Sequence, residues 1–148
     1  MLIFLLCLLP PAFAMSMGAF FKPGSWYREL ILPWWTPPDL AFPIVWSVLY
    51  FLMAITLFIL YSRRELRSFQ GLLFLAQLIL NALWSPVFFG FHQILIGLLI
   101  LSGILVSLIS LIRFFWKDKQ VDQAILLFPY FCWVCIAFSL NCSIYIHN

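Results

Sequence analysis

Five apolar runs, each about as long as a bilayer crossing, divide this chain: Leu2–Phe21, Leu40–Ser62, Phe69–Phe89, Gln93–Trp116 and Gln123–His147. A hydrocarbon core takes ~20 residues of helix to cross. The runs are sustained rather than alternating, which favours helices over barrel strands. The 148 residues are 66% hydrophobic and 9% charged, against roughly 25% charged in soluble domains. Such a chain cannot cover a water-facing surface. The sequence therefore predicts an all-α fold, an integral membrane bundle of five helices, as one domain over residues 1–148. The net charge of +3 is small and no dense Lys/Arg run is present, so no nucleic-acid partner is expected.

The first run has two readings. Leu2–Leu9 followed by Ala12-Phe13-Ala14 resembles a signal peptide with a small-residue cleavage site. Against this, no Lys or Arg precedes it and Pro10-Pro11 interrupts it, so the expectation is a kinked first helix retained in the bundle. Arg63, Arg64 and Arg67 fall between the second and third runs, and Arg113, Lys117 and Lys119 between the fourth and fifth. These two connections share a side and carry six of the eight basic residues. The positive-inside rule puts them, and the N-terminus, in the cytoplasm and the C-terminus outside. The short N-terminus without a transit peptide points to a bacterial inner membrane, with a mitochondrial outer membrane as the alternative.

Between the first and second runs lies a stretch of different character. Trp26 to Tyr50 holds four Trp, two Tyr and four Pro. Proline fixes φ and removes a donor, so Pro33, Pro37 and Pro38 suggest a stiff, extended connection. Two readings fit its tryptophans: an interfacial aromatic belt, or a lid presenting flat apolar walls to a cavity. Three helical stripes bear on the choice. Gln77, Asn81, Trp84, Ser85 and Phe88 share one face of the third run, Tyr130, Trp133, Ala137 and Asn141 one face of the fifth, and Phe42, Trp46, Tyr50 and Met53 one face of the second. Amides in hydrocarbon need partners, so Asn81 and Asn141 should face the interior, either as packing glue or as polar groups of an aromatic-walled pocket.

Several chemistries find no support. No carboxylate lies deep in a run, which argues against a proton relay. His92 and His147 sit near run ends without companion ligands and read as solvated residues rather than metal or haem ligands. Cys132 and Cys135, with Cys7 and Cys142, read as small buried packing residues. Gly103 and Ser107 form a small-xxx-small pair suited to helix packing or a dimer contact.

The order and spacing of rare residues resemble the tryptophan-rich sensory protein, or translocator protein (peripheral benzodiazepine receptor), family. The resemblance is carried by Trp26-Tyr27, Leu30, Pro33, Trp35, Pro37-Pro38, Phe42, Val45-Trp46 and Leu49-Tyr50, then by Gln77-Leu78, Leu80-Asn81, Trp84-Ser85 and Phe88-Phe89-Gly90. It continues in Pro129-Tyr130, Trp133, Ala137, Leu140-Asn141 and Ile144, and so spans essentially the whole chain.

The resemblance implies a five-helix bundle, commonly a homodimer, whose first loop roofs a cavity. It implies a membrane receptor or sensor that binds tetrapyrroles such as protoporphyrin IX, and synthetic isoquinoline and benzodiazepine ligands, contributing to porphyrin regulation or transport. By motif position Trp26, Tyr27, Trp46, Asn81, Trp133 and Ala137 would line the cavity, with Trp84 on the same face of the third run. No cofactor is expected; protoporphyrin IX would be the ligand. The alternative is an enzyme that degrades porphyrin in light, with Trp26 and Trp133 as the catalytic pair. No acid–base pair or metal is visible, so any chemistry would come from the excited porphyrin. Arg28, Lys22 and loop amides could meet its propionates. The chain departs from the family at Leu32, where a Lys is usual, at Ala54, where Gly is usual, and between Ile94 and Ile112, where some members carry an acidic residue. The cholesterol motif near Leu140 and Tyr145 lacks its basic residue, so specific cholesterol binding is not expected.

Overall fold

The computed structural model describes residues 2–148. Six α-helices follow in order: α1 Leu2–Phe20, α2 Ser25–Glu29, α3 Ala41–Ser62, α4 Phe69–Ser85, α5 Ile94–Lys117 and α6 Val121–His147. A π-helical turn, Pro86–Gly90, extends α4. Five helices are long and apolar enough to cross a membrane, with α4 and its π turn counted together. The described residues contain no strand. The spans expected from hydropathy match these helices to within one residue, except that the fifth begins two residues earlier, at Val121.

Each long helix packs on two others. α1 touches α3 and α4, α4 touches α5, α5 touches α6, and α6 returns to α3. The spans thus close into a ring in the order α1, α4, α5, α6, α3. Alternating direction brings the α3–α4 and α5–α6 turns to the same end. Their side chains meet there: Arg63 pairs with Asp122 at 2.9 Å, Gln70 donates to Asp118 at 3.2 Å and Gln120 to Glu65 at 2.8 Å. The basic connections therefore share one face, and the Trp/Pro loop lies at the other.

The three short inter-helix turns use one device. Arg64, His92 and Lys119 adopt φ of 60°, 56° and 59°. A left-handed residue after a helix lets the next amides reach back to the free carbonyls. After α3, Glu65 N–H donates to Leu60 O at 2.8 Å; after α5, Gln120 N–H donates to Phe115 O at 2.7 Å. Glycine is the usual choice there, so these side chains are held at some conformational cost. α4 then starts from Ser68, whose hydroxyl accepts from Gly71 N–H at 3.2 Å, satisfying one orphan donor of the first turn.

Pro10 and Pro11 lie within a continuous α1. Pro86 has no N–H to give, and the chain widens by one residue just there, Phe91 N–H reaching Pro86 O at 2.9 Å. Proline and π turns are recognised causes of such local rewinding. Gly103 and Ser107 face the bundle: a Cβ added at Gly103 would stand 3.1 Å from Leu80 of α4, and Ser107 is buried. The small pair serves helix packing within the chain. The cysteines depart from expectation. Cys7 is buried, but Cys132 is exposed and Cys135 and Cys142 are half-buried. In a bilayer the outer face is as apolar as the core, so hydropathy cannot tell which way such a residue points.

Candidate functional site

Inside the ring three helices are joined by one directional chain of hydrogen bonds. The Tyr50 hydroxyl of α3 donates to Asn81 Oδ1 at 2.7 Å. Asn81 Nδ2 of α4 donates to the Tyr130 hydroxyl of α6 at 2.9 Å, and that hydroxyl donates to Gln77 Oε1 at 3.0 Å. All four residues are buried. Their placement follows from spacing: Gln77 and Asn81 are one turn apart on α4.

One turn further toward the Trp/Pro loop, each of these helices presents an indole. Trp46 precedes Tyr50 by four residues on α3, Trp84 follows Asn81 by three on α4, and Trp133 follows Tyr130 by three on α6. Because α3 runs opposite to α4 and α6, all three lie ~5–6 Å nearer the loop than the polar chain. Trp46 stacks on Tyr50 at 5.3 Å between ring centres and meets Tyr130 edge-on at 6.1 Å. Trp133 meets Phe42 at 5.6 Å. Trp84 stacks on Phe88 at 5.2 Å.

The roof is α2. Trp26 packs edge-on against Phe88 at 5.7 Å, and Tyr27 against Phe88 and Phe89 at 6.2 and 5.3 Å. Burial, reinforced by the Asp39 carboxylate, pushes the Tyr27 phenol above its ordinary range. The loop is not the extended strut that its prolines suggest. Pro33 O accepts from both Thr36 N–H and Thr36 Oγ1, at 3.1 and 2.6 Å, and Pro38 O accepts from Ala41 N–H at 2.8 Å. Two turns fold the loop back, because Trp34-Trp35 and Asp39-Leu40 continue past each proline into conformations that close a hydrogen bond. Asn148 Oδ1 accepts from Ile31 N–H at 3.0 Å and anchors the loop to the end of α6.

Two aromatic clusters result. One comprises Trp26, Tyr27, Trp84, Phe88 and Phe89 on α2, α4 and the π turn; the other comprises Phe42, Trp46, Tyr50, Tyr130 and Trp133 on α3 and α6. Asn81, one turn before Trp84 on α4, bonds to Tyr50 and Tyr130 of the second cluster. Trp26 and Trp133 belong to different clusters, and among the described residues their rings make no contact. Ala137, half-buried, lies one turn beyond Trp133. Asn141, a turn further, is buried and approaches Gly97 of α5, where an added Cβ would stand 3.2 Å from its Nδ2 and 3.1 Å from Phe88. Trp84 Nε1, Trp133 Nε1 and both amide atoms of Asn141 are buried without a hydrogen-bond partner among the described residues. Buried polar groups are almost always paired; Gln77 Nε2 and both amide atoms of Gln123, the latter in the first turn of α6 at the opposite end of the bundle, lack a partner as well.

The loop tryptophans divide between the two roles that composition left open. Trp26 turns inward, whereas Trp34 is 92% exposed and suits the interface. The sequence alone presents His92 as a solvated residue near a run end. It is exposed, yet its ring lies flat on Trp26 at 4.3 Å with 15° between planes. The left-handed backbone at His92 aims it there, and no pattern in the sequence announces such a turn.

A closed ring of five helices long and apolar enough to cross a membrane, with a folded loop against its aromatic clusters, defines an integral membrane helix bundle. The chain matches the TspO/MBR family over residues 5–146 and belongs to it. It is 38% identical to Protein CrtK of Rhodobacter capsulatus over 138 residues, covering 90% of this chain and 85% of that one. It is 36% identical to the tryptophan-rich sensory protein of Cereibacter sphaeroides over 129 residues, 85% and 78% of the two chains. With the human translocator protein the identity is 30% over 152 residues, 95% and 86% of the two.

Proposed function

We propose that this membrane protein binds a flat tetrapyrrole, protoporphyrin IX or a close relative, between its two aromatic clusters, and acts as a receptor or sensor in porphyrin regulation or transport. The observation that supports the reading is the presence of two aromatic clusters, one on α2, α4 and the π turn and one on α3 and α6, with unpartnered polar atoms on Trp84, Trp133 and Asn141 beside them. Aromatic faces suit a macrocycle's π surface, and a few convergent polar groups in an apolar recess are how small-molecule sites fix orientation. Trp26, Tyr27, Trp46, Trp84, Trp133 and Ala137 line the site, and Asn81 holds its floor. Lys22 and Arg28, both exposed near the roof, meet the propionates in charge-assisted bonds. No observation favours light-driven breakdown of the ligand over its binding. Pairing of two copies along a lipid-facing helix, a bacterial inner membrane, and the basic turns on the cytoplasmic side belong to the same reading.

The test is a titration of purified protein with protoporphyrin IX, read by quenching of tryptophan fluorescence. Ala137→Phe adds a ring where a small residue leaves room. Overpacking a filled site costs ~1–3 kcal/mol, so the folded variant should bind at least tenfold more weakly. Wild-type affinity in that variant removes Ala137 from the site. Quenching that grows without saturating, as for pigment partitioning non-specifically into the micelle, removes the site itself.

A further inference from the structure

At the end of the bundle opposite the aromatic site, two recesses join. A groove of about 260 Å³ runs between α1 and the α3–α4 pair, walled by Leu6, Cys7, Pro10, Leu57 and Leu75. From Ile3 to Pro10 it follows α1 for ~10 Å toward the bilayer centre. Beside it a recess of about 450 Å³ is lined by Ser62, Arg64 and Arg67. Tyr61 and Leu66 border both. The first recess is apolar and opens sideways to lipid. The second lies at the turn, at headgroup level.

Charge distinguishes this turn's arginines. Arg63 is paired with Asp122. The neighbouring carboxylate of Glu65 accepts from Gln120 of the α5–α6 turn, so it is directed across the bundle end. Arg64 and Arg67 are exposed and form no ion pair among the described residues. Two unneutralised guanidiniums thus border one recess, with an apolar slot leading from it. Tyr61, 44% exposed, stands where the two meet, an apolar ring with a polar tip suited to the boundary between acyl chains and headgroups. The geometry points to a dedicated site for one anionic phospholipid, its phosphodiester between Arg64 and Arg67 and the start of one acyl chain in the groove beside Cys7 and Pro10. Guanidinium forks match phosphate oxygens in pairs, a zwitterionic headgroup would set its own cation against the two arginines, and the groove supplies what a free phosphate could not use.

The backbone provides a clean test. Arg64 sits at φ 60°, and Lys119 at φ 59° in the matching turn on the same face. Glycine is favoured at both, so Arg64→Gly and Lys119→Gly each remove one positive charge while easing the backbone. Lys119 does not line the recess. The full chain, folded by thermal-melt criteria, is titrated with palmitoyl-oleoyl phosphatidylglycerol or phosphatidylcholine and bound lipid is counted by native mass spectrometry. Two basic contacts at ~1 kcal/mol each, with 1.4 kcal/mol per tenfold, predict about a thirty-fold preference for phosphatidylglycerol. Arg64→Gly with Arg67→Gln should reduce it to within about threefold, and Lys119→Gly should leave it intact. Leu6→Trp, which fills the groove and keeps both arginines, should weaken both lipids. Excess inorganic phosphate should not displace the lipid. Equal binding of the two lipids by the wild type overturns the site. So does an equal loss in Lys119→Gly, which would mean diffuse surface charge, or displacement by phosphate. A changed oligomeric state in Leu6→Trp with lipid binding unaltered overturns it too, since the groove would then seat a second copy.

Discussion

Asn81 is the residue through which α3, α4 and α6 share polar contact, so the sharpest perturbation is a double-mutant cycle between it and Tyr50. Tyr50→Phe alone removes one hydrogen bond, the 2.7 Å contact to Asn81 Oδ1. Interhelical bonds of this kind average ~0.6 kcal/mol in membranes and reach ~1.7; a short, buried one belongs in the upper half. Asn81→Ala removes two bonds, to Tyr50 and Tyr130. It also leaves the buried Tyr50 hydroxyl without an acceptor, an added ~1–3 kcal/mol. The sum is ~2–6 kcal/mol. In the Asn81→Ala background, Tyr50→Phe then deletes an orphaned hydroxyl and should cost nothing or restore stability. The coupling should come to ~1–2 kcal/mol, measured by reversible unfolding in mixed detergent micelles. Independent sites add to within ~0.5 kcal/mol. Additivity at that level would refute the claim that the Tyr50–Asn81 bond joins the helices.

Gly71→Ala should destabilise the fold by ~1–3 kcal/mol or more, because its Cβ would collide with the Glu65 carbonyl oxygen and lie 2.6 Å from that of Leu66; thermal melting checks this, and an unchanged melt would count against the tight α3–α4 turn. Asp39→Asn should lower the titration of the Tyr27 phenol, followed by phenolate absorbance against a Tyr27→Phe reference, since the carboxylate adds to burial in holding that group up. The sign for stability follows: a phenol raised in the folded state contributes fully below the unfolded value of ~10, and the contribution fades as pH rises through the folded one. A C-terminal fusion to a phosphatase active only outside the cytoplasm should be active, because the basic turns lie at the opposite end; an inactive fusion of normal abundance would reverse the orientation.

Much of the architecture is legible in the chain because lipid imposes a simple length rule. The five runs end where charges and prolines gather, and the helices end with them. The interior stripe is legible for a related reason. Gln77, Asn81, Tyr130 and Asn141 carry groups that lipid cannot satisfy, so they point inward wherever the helix pattern allows, and all four are buried. The loop is less readable. Pro33 and Pro38 restrict φ but leave ψ open, and the structure spends that freedom on turns. The short α2 and the π turn at Pro86–Gly90 also escape a periodicity argument, since five residues hold little more than one turn. Yet the π turn sets Phe88 between Trp26 and Trp84. Exposed positions such as Cys132 are unreadable by hydropathy for the reason that makes the spans so clear: outside and inside are equally apolar.

The central claim is that the two aromatic clusters are walls of one binding site. A structure determined with protoporphyrin IX bound tests it most directly. The account predicts the macrocycle between the Trp84–Phe88 wall and the Trp46–Trp133 wall, beneath Trp26, with its propionates toward Lys22 and Arg28 and the Tyr50–Asn81–Tyr130 chain intact below it. A macrocycle seated on the outer surface of the bundle, with the two clusters unchanged, would contradict it.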